Sequence, residues 1–162
     1  MNMERIILNN KPSYWVEDNN VSSQYPLTNY NSPEYKEIFG EVIMATGLTN
    51  YTRIRRIQNI YDLGQFLIRE QLKIALSNGS TTFYKVRRFM KIKRIYQPVA
   101  LQFNADYRRC GVPNQTFKNK LQNLAPDEII LVVKIITDSP TNDNITPENS
   151  SDYFIEYIVY PH

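Results

Sequence analysis

Histidine is almost missing from this chain of 162 residues, because the single one is His162, the last residue of the sequence. An interior without histidine excludes a Ser/His or Cys/His catalytic dyad, a histidine general base and a Cys/His zinc site. The single cysteine, Cys110, also excludes a disulfide within the chain and is typical of proteins from a reducing compartment. We therefore expect an intracellular protein, nuclear or cytoplasmic, that binds no metal.

Glycine and long hydrophobic runs are scarce too. None of the five glycines lies in a GxGxxG or GxxxxGK[ST] pattern of the kind that binds phosphates. No apolar run reaches the roughly 18 residues needed to span a bilayer, and the opening MNMERIILNN lacks the apolar segment of a secretory signal. We therefore predict no membrane association. With 42% hydrophobic and 22% charged residues, the composition is typical of one globular domain.

Charge is distributed unevenly, although the net charge is only +3. Residues 51–109 contain thirteen Lys and Arg against three Asp and Glu, a local charge of +10, whereas residues 127–162 contain one Lys against seven acids, a local charge of −6. Such asymmetry is produced by a surface that binds nucleic acid or membranes, or by two faces that neutralise each other on folding. The sequence leaves both explanations open.

Two helices and the strand between them are predicted from local signals. In NSPEYKEIFGEVIMATG, Ser32 is placed to cap a helix, Pro33 to occupy its first position and Gly47 to end it. The alternation of YTRIRRI at residues 51–57 predicts a strand. Asn59 is then placed to cap a second helix with one apolar face.

The remainder of the chain is dominated by predicted strands. Residues 1–31 are rich in Asn, Ser and Tyr without a clear period, and we predict an irregular N-terminal arm. The mixed order of elements indicates an α+β domain over residues 32–162, built on a sheet. The predicted elements of the second half are β structure at 82–96, a short helix and loop at 97–111, a strand covered on both faces at 128–137, a polar loop at 139–151 and a last β segment at 152–162.

A likeness to a known family is carried by the first two helices and their strand. Ser32, Glu34 and Tyr35, followed by the RIQN of residues 56–59 and by Leu63, resemble the start of the catalytic domain of the poly(ADP-ribose) polymerase family. The resemblance is nearest to the mono-ADP-ribosylating branch and to the inactive domain of the zinc-finger antiviral protein. It implies a shortened ADP-ribosyltransferase-like core, a split β-sheet with flanking helices. We expect this fold for residues 32–162 whether the chain is a whole protein or one domain of a longer protein.

The resemblance also assigns roles to the arginines of the first strand. In the family, the RIQN segment belongs to the framework of the sheet, so Arg56 is expected to be structural. Arg53 and Arg55 would then point to the opposite face, free for a partner.

The pocket residues of the family are replaced at the positions that the resemblance matches. The family transfers ADP-ribose from NAD with a histidine, a tyrosine and, in polymerising members, a glutamate. Here Met90 stands for the histidine, Lys91 for the glycine beside it, Phe117 for the tyrosine, and either Asp152 or Tyr153 for the glutamate. Methionine cannot donate a hydrogen bond to a ribose hydroxyl, and lysine in place of glycine obstructs close approach. We therefore expect no NAD binding and no catalysis.

A candidate interaction patch lies in the segment 85–94, where six of ten residues are basic and tyrosines flank them. Such a pattern suits RNA, through phosphate neutralisation and base stacking. The alternatives are a solvated strand edge and a surface for an acidic protein partner. With the two arginines of the first strand, the candidate patch comprises Arg53, Arg55, Lys85, Arg87, Arg88, Lys91, Lys93 and Arg94.

The function expected from the resemblance is that of a pseudoenzyme domain used as a protein-interaction scaffold. By analogy with inactive relatives, a role in RNA defence or gene silencing is implied. The alternatives are an RNA-binding module that uses the segment 85–94, and a residual mono-ADP-ribosyltransferase.

Overall fold

A computed structural model describes residues 3–48 and 52–161 of the chain, so the predicted strand start at Tyr51 and the terminal His162 lie outside the described residues. The described part combines helices with one sheet, which confirms the α+β class. Two short 3₁₀ turns, Arg94–Tyr96 and Ser150–Asp152, accompany the main elements. In chain order these are α1 (Met3–Asn10), β1 (Ser22–Pro26), α2 (Pro33–Thr46), β2 (Arg53–Asn59), α3 (Ile60–Ser77), β3 (Tyr84–Lys93), α4 (Gln97–Gln102), β4 (Phe117–Lys118), β5 (Glu128–Thr137), β6 (Asn144–Ile145) and β7 (Tyr153–Tyr160).

The described strands form one sheet in the order β1-β2-β7-β5-β3-β4-β6, with every neighbouring pair antiparallel. The two most hydrophobic strands, β5 and β7, are neighbours near the middle. All residues of β7 are buried, and so are residues 129–133 of β5. The prediction that residues 128–137 form a strand covered on both faces is therefore confirmed.

The two predicted helix starts are confirmed in atomic detail. The Ser32 hydroxyl accepts a hydrogen bond from the backbone N–H of Tyr35 at 3.1 Å, and the Asn59 side chain accepts one from Asp62 at 2.9 Å. Gly47 ends α2 with φ 73°, a left-handed conformation that glycine adopts without a steric penalty. These local signals fix the ends of α2 and the start of α3.

Residues 1–31 are not irregular throughout, and the prediction of an irregular arm is corrected here. They contain α1, which packs on α3, and β1, which pairs with β2 from Ser22–Asn59 to Pro26–Arg55. Half-buried Trp15 packs against the same cluster as Ile7. Because β1 is a short edge strand of mostly polar residues, its sequence lacks the hydrophobic alternation that reveals a strand.

Side chains cover both faces of the sheet. On one face, α2 packs Tyr35, Ile38 and Val42 against Ile130 and Tyr157. On the other face, α4 and the loop after it cover a second buried cluster, which contains Leu131 and Ile158. A third cluster joins α1 and α3 to the ends of β5 and β7.

A bulge interrupts β7. Val132 of β5 pairs with Tyr157, but the next residue, Val133, pairs with Ile155, so Glu156 is the extra residue. A bulge of this kind changes which side chains point to each face of the sheet. It places Glu156 where its carboxylate reaches β3.

Candidate functional site

Three of the positions matched to the NAD pocket meet in the hydrophobic core. Met90 of β3, Phe117 of β4 and Tyr153 of β7 belong to one buried cluster, with exposures of 4%, 0% and 1%. The rings of Phe117 and Tyr153 lie 4.7 Å apart, centroid to centroid, with a tilt of 59°. Their side chains therefore contact each other and the core.

The other two pocket positions point elsewhere and have partners. Lys91 lies on the opposite face of β3 from Met90, and its ammonium donates to the carbonyl of Gln122 at 2.8 Å. Asp152 is 1% exposed and accepts a hydrogen bond from Arg69 of α3 at 2.7 Å. The Asp152 carboxylate also accepts from two backbone N–H groups of the preceding loop, so it fastens that loop to α3.

The structural role expected for Arg56 is confirmed. Arg56 is buried, and its guanidinium contacts the Glu34 carboxylate at 2.7 Å and the Gln58 side chain at 2.9 Å. The hydroxyl of Tyr157 donates to the same Glu34 carboxylate at 2.8 Å. This network connects α2 with β2 and β7.

Arg87 is held by three carboxylates and is not free to bind a partner. Its guanidinium contacts Glu156 at 2.8 Å, Glu41 at 3.3 Å and Glu37 at 3.5 Å. Burial acts to lower the pKa of Arg87, but the three glutamates outweigh it and raise that pKa above its ordinary value. Lys134 approaches the same Glu156 carboxylate at 3.8 Å. This cluster is called the Arg87 network below.

Arg88 is also bound within the domain. Its guanidinium donates to the carbonyls of Pro140 and Asn142 at 2.8 and 2.9 Å, which holds the loop before β6 along the outer edge of β3. Lys91 does the same for the loop before β5 through Gln122. Lys85 is partly exposed and contacts Glu70 at 3.3 Å. The segment 85–94 thus does not form one basic surface, because alternation sends its cations to both faces and acids or carbonyls hold four of the six.

The remaining arginines of the predicted patch gather around one ring. The guanidinium carbons of Arg53, Arg55 and Arg94 lie 5.2, 5.3 and 5.2 Å from the centroid of the Tyr160 ring. Arg55 also donates to the Gln24 side chain at 3.3 Å. Within residues 3–48 and 52–161, none of the three contacts a carboxylate. This group is called the Tyr160 arginine cluster below.

The ring at the centre of this cluster is itself buried. Tyr160 is 4% exposed, and its hydroxyl has no hydrogen-bond partner in the part of the chain that the structure describes. Sequence alternation correctly placed Arg53 and Arg55 on one face. Arg94 belonged to the same predicted patch, but its place beside the Tyr160 ring depends on how far β3 runs past the end of β7.

A cleft of about 410 Å³ lies over the Arg87 network. Tyr14, Trp15 and α3 side chains line its wall, while Arg87, Lys134 and Glu156 lie along its floor. The charged groups of the floor neutralise each other at short distances. The cleft therefore offers a ligand little unpaired charge.

Asp62, in the first turn of α3, is a titratable group that the sequence analysis did not single out. Its side chain is half-buried, and burial raises the pKa of its carboxyl to about 6. The N-terminus of a helix ordinarily favours a carboxylate, but here burial outweighs that effect. Asp62 shares a shallow cleft with Asn104, whose side-chain oxygen is buried without a partner among the described residues.

We expect the stability of the domain to depend on pH through Asp62. Its pKa is higher in the folded domain, about 6, than the ordinary 3.8 of the unfolded chain. The stabilisation from its proton is therefore complete below about pH 4 and is lost as the pH rises through about 6. Asp62→Asn should raise the free energy of unfolding by about 1–2 kcal/mol near pH 7.5 and leave it unchanged near pH 4.

Urea unfolding at the two pH values measures this effect. The control is Asp127→Asn, which alters an exposed carboxylate just before β5. If both substitutions changed the free energy of unfolding equally at the two pH values, the assignment to Asp62 would be wrong.

Within residues 3–48 and 52–161, no helix is long and apolar enough to cross a membrane. No three His, Cys, Asp or Glu side chains in that part of the chain are grouped so that they could hold a metal ion.

No protein family matches this chain, and no curated protein is significantly similar to it.

Proposed function

We propose that this chain is an ADP-ribosyltransferase-like domain without transferase activity, and that it acts as a protein-interaction scaffold. The observation that carries this proposal is the packing of Met90, Phe117 and Tyr153 into the core. The resemblance matches these positions to the NAD cleft of the family. All three side chains are buried in one cluster, and the Phe117 and Tyr153 rings contact each other. This packing supports the proposal, because a nicotinamide ring at these positions would have to displace the protein's own side chains.

Opening such a cleft would be costly. Moving the Phe117 ring away from Tyr153 would expose or empty a fully buried site, and losses of this kind amount to about 3–5 kcal/mol for a phenylalanine. Asp152 offers no compensation, because Arg69 and backbone N–H groups already hold its carboxylate. The free energy of NAD binding would be reduced by this cost.

An exposed apolar stripe on α3 supports the scaffold role. Tyr61, Ile68, Leu72 and Leu76 are 61%, 38%, 46% and 75% exposed. Their spacing puts them on one side of the helix, opposite the buried face that contains Leu63. Aromatic and apolar side chains that stay exposed in this way are typical of surfaces that bind other proteins. A role in RNA defence or gene silencing extends this proposal by analogy alone.

The test is to present labelled NAD to the purified domain, with an active family member as positive control. We expect no transfer of ADP-ribose to the domain or to added protein. Transfer that was lost on substitution of Asp152 or Tyr153 would overturn the proposal and establish the residual transferase instead.

A second variant distinguishes a cleft that is filled by side chains from an open cleft that has lost only its NAD-binding residues. Met90→His combined with Lys91→Gly restores the residues of the family at these positions. We expect this variant to gain no transferase activity and to lose about 2–4 kcal/mol of stability, because a buried imidazole replaces a packed thioether. Restored transfer would mean that the cleft is present and that only its residues had changed.

A further inference from the structure

We infer that the Tyr160 arginine cluster binds a phosphorylated segment of a protein partner, an inference that rests on the proposed scaffold function. The cluster is the one group of arginines in residues 3–48 and 52–161 that surrounds a single ring without an acidic neighbour. Elsewhere on the sheet, Arg56 and Arg87 each contact a glutamate at less than 3 Å.

The cluster is held in place by the sheet. Arg53 and Arg55 extend from β2, and Tyr160 is the residue of β7 that pairs directly with Arg53. Arg94 follows the last residue of β3, where its backbone N–H donates to the carbonyl of Asp127 at 2.7 Å. The strand β2 and the turn after β3 therefore place the three arginines around the ring before any ligand arrives, which lowers the entropy cost of binding.

The charge of the cluster is not balanced within the described part of the chain. Each guanidinium carbon is within 5.3 Å of the same centroid, so the three positive charges share one small region and repel one another at low ionic strength. The face of the Tyr160 ring offers a partial attraction to cations. An anion placed between the guanidinium groups would relieve the repulsion and add charge-assisted hydrogen bonds.

A phosphate group fits this arrangement better than a single carboxylate does. A phosphorylated side chain carries a charge of about −1.5 to −2 and three acceptor oxygens, whereas a carboxylate carries one charge and two oxygens. Planar guanidinium groups match phosphate oxygens two at a time. The exposure of Arg53 and Arg94 leaves these donors accessible to a partner.

RNA is disfavoured by two features of the same surface. The Tyr160 ring is buried under its arginines and cannot stack on a base. A polynucleotide also needs a continuous row of cations, and Arg87, Arg88 and Lys91 beyond the cluster are already bound to acids or carbonyls of the domain. A compact dianion requires no such row.

The experiment follows the arginine Nε–H resonances of the whole chain by NMR during titration. The probes are a short glycine- and glutamate-containing peptide with one phosphoserine, the same peptide without the phosphate, and an oligouridine of similar length. We expect the resonances of Arg53, Arg55 and Arg94 to shift together and saturate with the phosphopeptide. The unphosphorylated peptide should bind at least about tenfold more weakly, because charge-assisted hydrogen bonds are lost.

A charge-matched pair of variants tests the site. Arg53→Gln, Arg55→Gln and Arg94→Gln combined should weaken phosphopeptide binding by about tenfold or more without lowering the melting temperature by more than a few degrees. The control removes three positive charges from exposed lysines elsewhere, and should leave the affinity within about threefold of the unchanged chain. The control substitutions are Lys36→Gln, Lys118→Gln and Lys120→Gln.

The outcomes separate this inference from the proposed function. Absence of phosphopeptide binding, equal weakening by both variants, or tighter arginine-dependent binding of the oligouridine would each overturn the inference. The proposed function is decided by transfer of labelled ADP-ribose, not by NAD binding, since the arginines attract the pyrophosphate of NAD as well. Transfer would end the scaffold proposal, whereas no transfer together with no peptide binding would remove only the inference.

Discussion

Replacement of Arg87 by methionine is expected to lower the free energy of unfolding by about 3–5 kcal/mol. Arg87 has three glutamates within 3.5 Å, and Glu156 is only 6% exposed. Removal of the guanidinium leaves that buried carboxylate with Lys134 alone, at 3.8 Å. Urea unfolding followed by circular dichroism gives the change directly.

Two further variants test whether the unpaired Glu156 carboxylate causes this loss of stability. Arg87→Met combined with Glu156→Leu should recover most of the lost stability, because the buried unpaired charge is then gone. Lys85→Met alters a neighbouring cation of β3 whose side chain is half exposed, and we expect it to change stability by about 0.5 kcal/mol or less. A loss for Arg87→Met no greater than that for Lys85→Met would show that water reaches Glu156.

Replacement of Phe117 by alanine is the other substitution with a large expected effect, about 3–5 kcal/mol of destabilisation. Its side chain is completely buried and packs at a tilt against Tyr153, in the cluster that also contains Met90. The same measurement on Phe103→Ala provides the control. Phe103 is 38% exposed in the loop after α4, and we expect about 1 kcal/mol or less for it.

The result for Phe117 bears on function as well as on stability. If the ring filled the core, as its contacts indicate, the alanine variant would lose stability and gain no affinity for NAD. A negligible loss would mean that Phe117 borders open space, which is what a nucleotide cleft requires. That outcome would reopen the transferase alternative.

The parts of the fold that were predicted correctly depend on local chemistry. Ser32, Pro33 and Gly47 set the ends of α2 because caps act on the backbone of neighbouring residues. The nearly continuous apolar run of β5 predicted burial on both faces, since a strand in the middle of a covered sheet has no solvent side. Such signals need no knowledge of distant residues.

The parts that were missed depend on residues far apart in the sequence. Arg87 looked like a free cation because its partners, Glu41 and Glu156, are 46 and 69 residues away. The β7 sequence YFIEYIVY does not show that Glu156 is a bulge residue or that it faces Arg87, because both depend on the pairing with β5 and β3. A charge pattern alone therefore could not separate the structural cations of the segment 85–94 from those around Tyr160.

For the candidate site too, some features could be predicted from the sequence and others depend on residues that are far apart in it. The absence of an interior histidine could be recognised from composition alone. The sequence could not predict that Met90, Phe117 and Tyr153 would meet, since they come from three strands that are distant along the chain. The contacts of Asp152 and Tyr153 likewise could not be predicted, because Asp152 meets Arg69 of α3 and Tyr153 lies beside Phe117 of β4.

The position of β7 between β2 and β5 determines when the domain can fold during its synthesis. Its residues, Tyr153–Tyr160, are made about a hundred positions after those of β2, yet they supply the hydrogen-bond partners of both neighbouring strands. Until they leave the ribosome, β2 and β5 have unpaired edges and exposed apolar faces. Closure of the sheet therefore follows the synthesis of β2 and β5, and it is a slow step because it joins segments that are distant in the sequence.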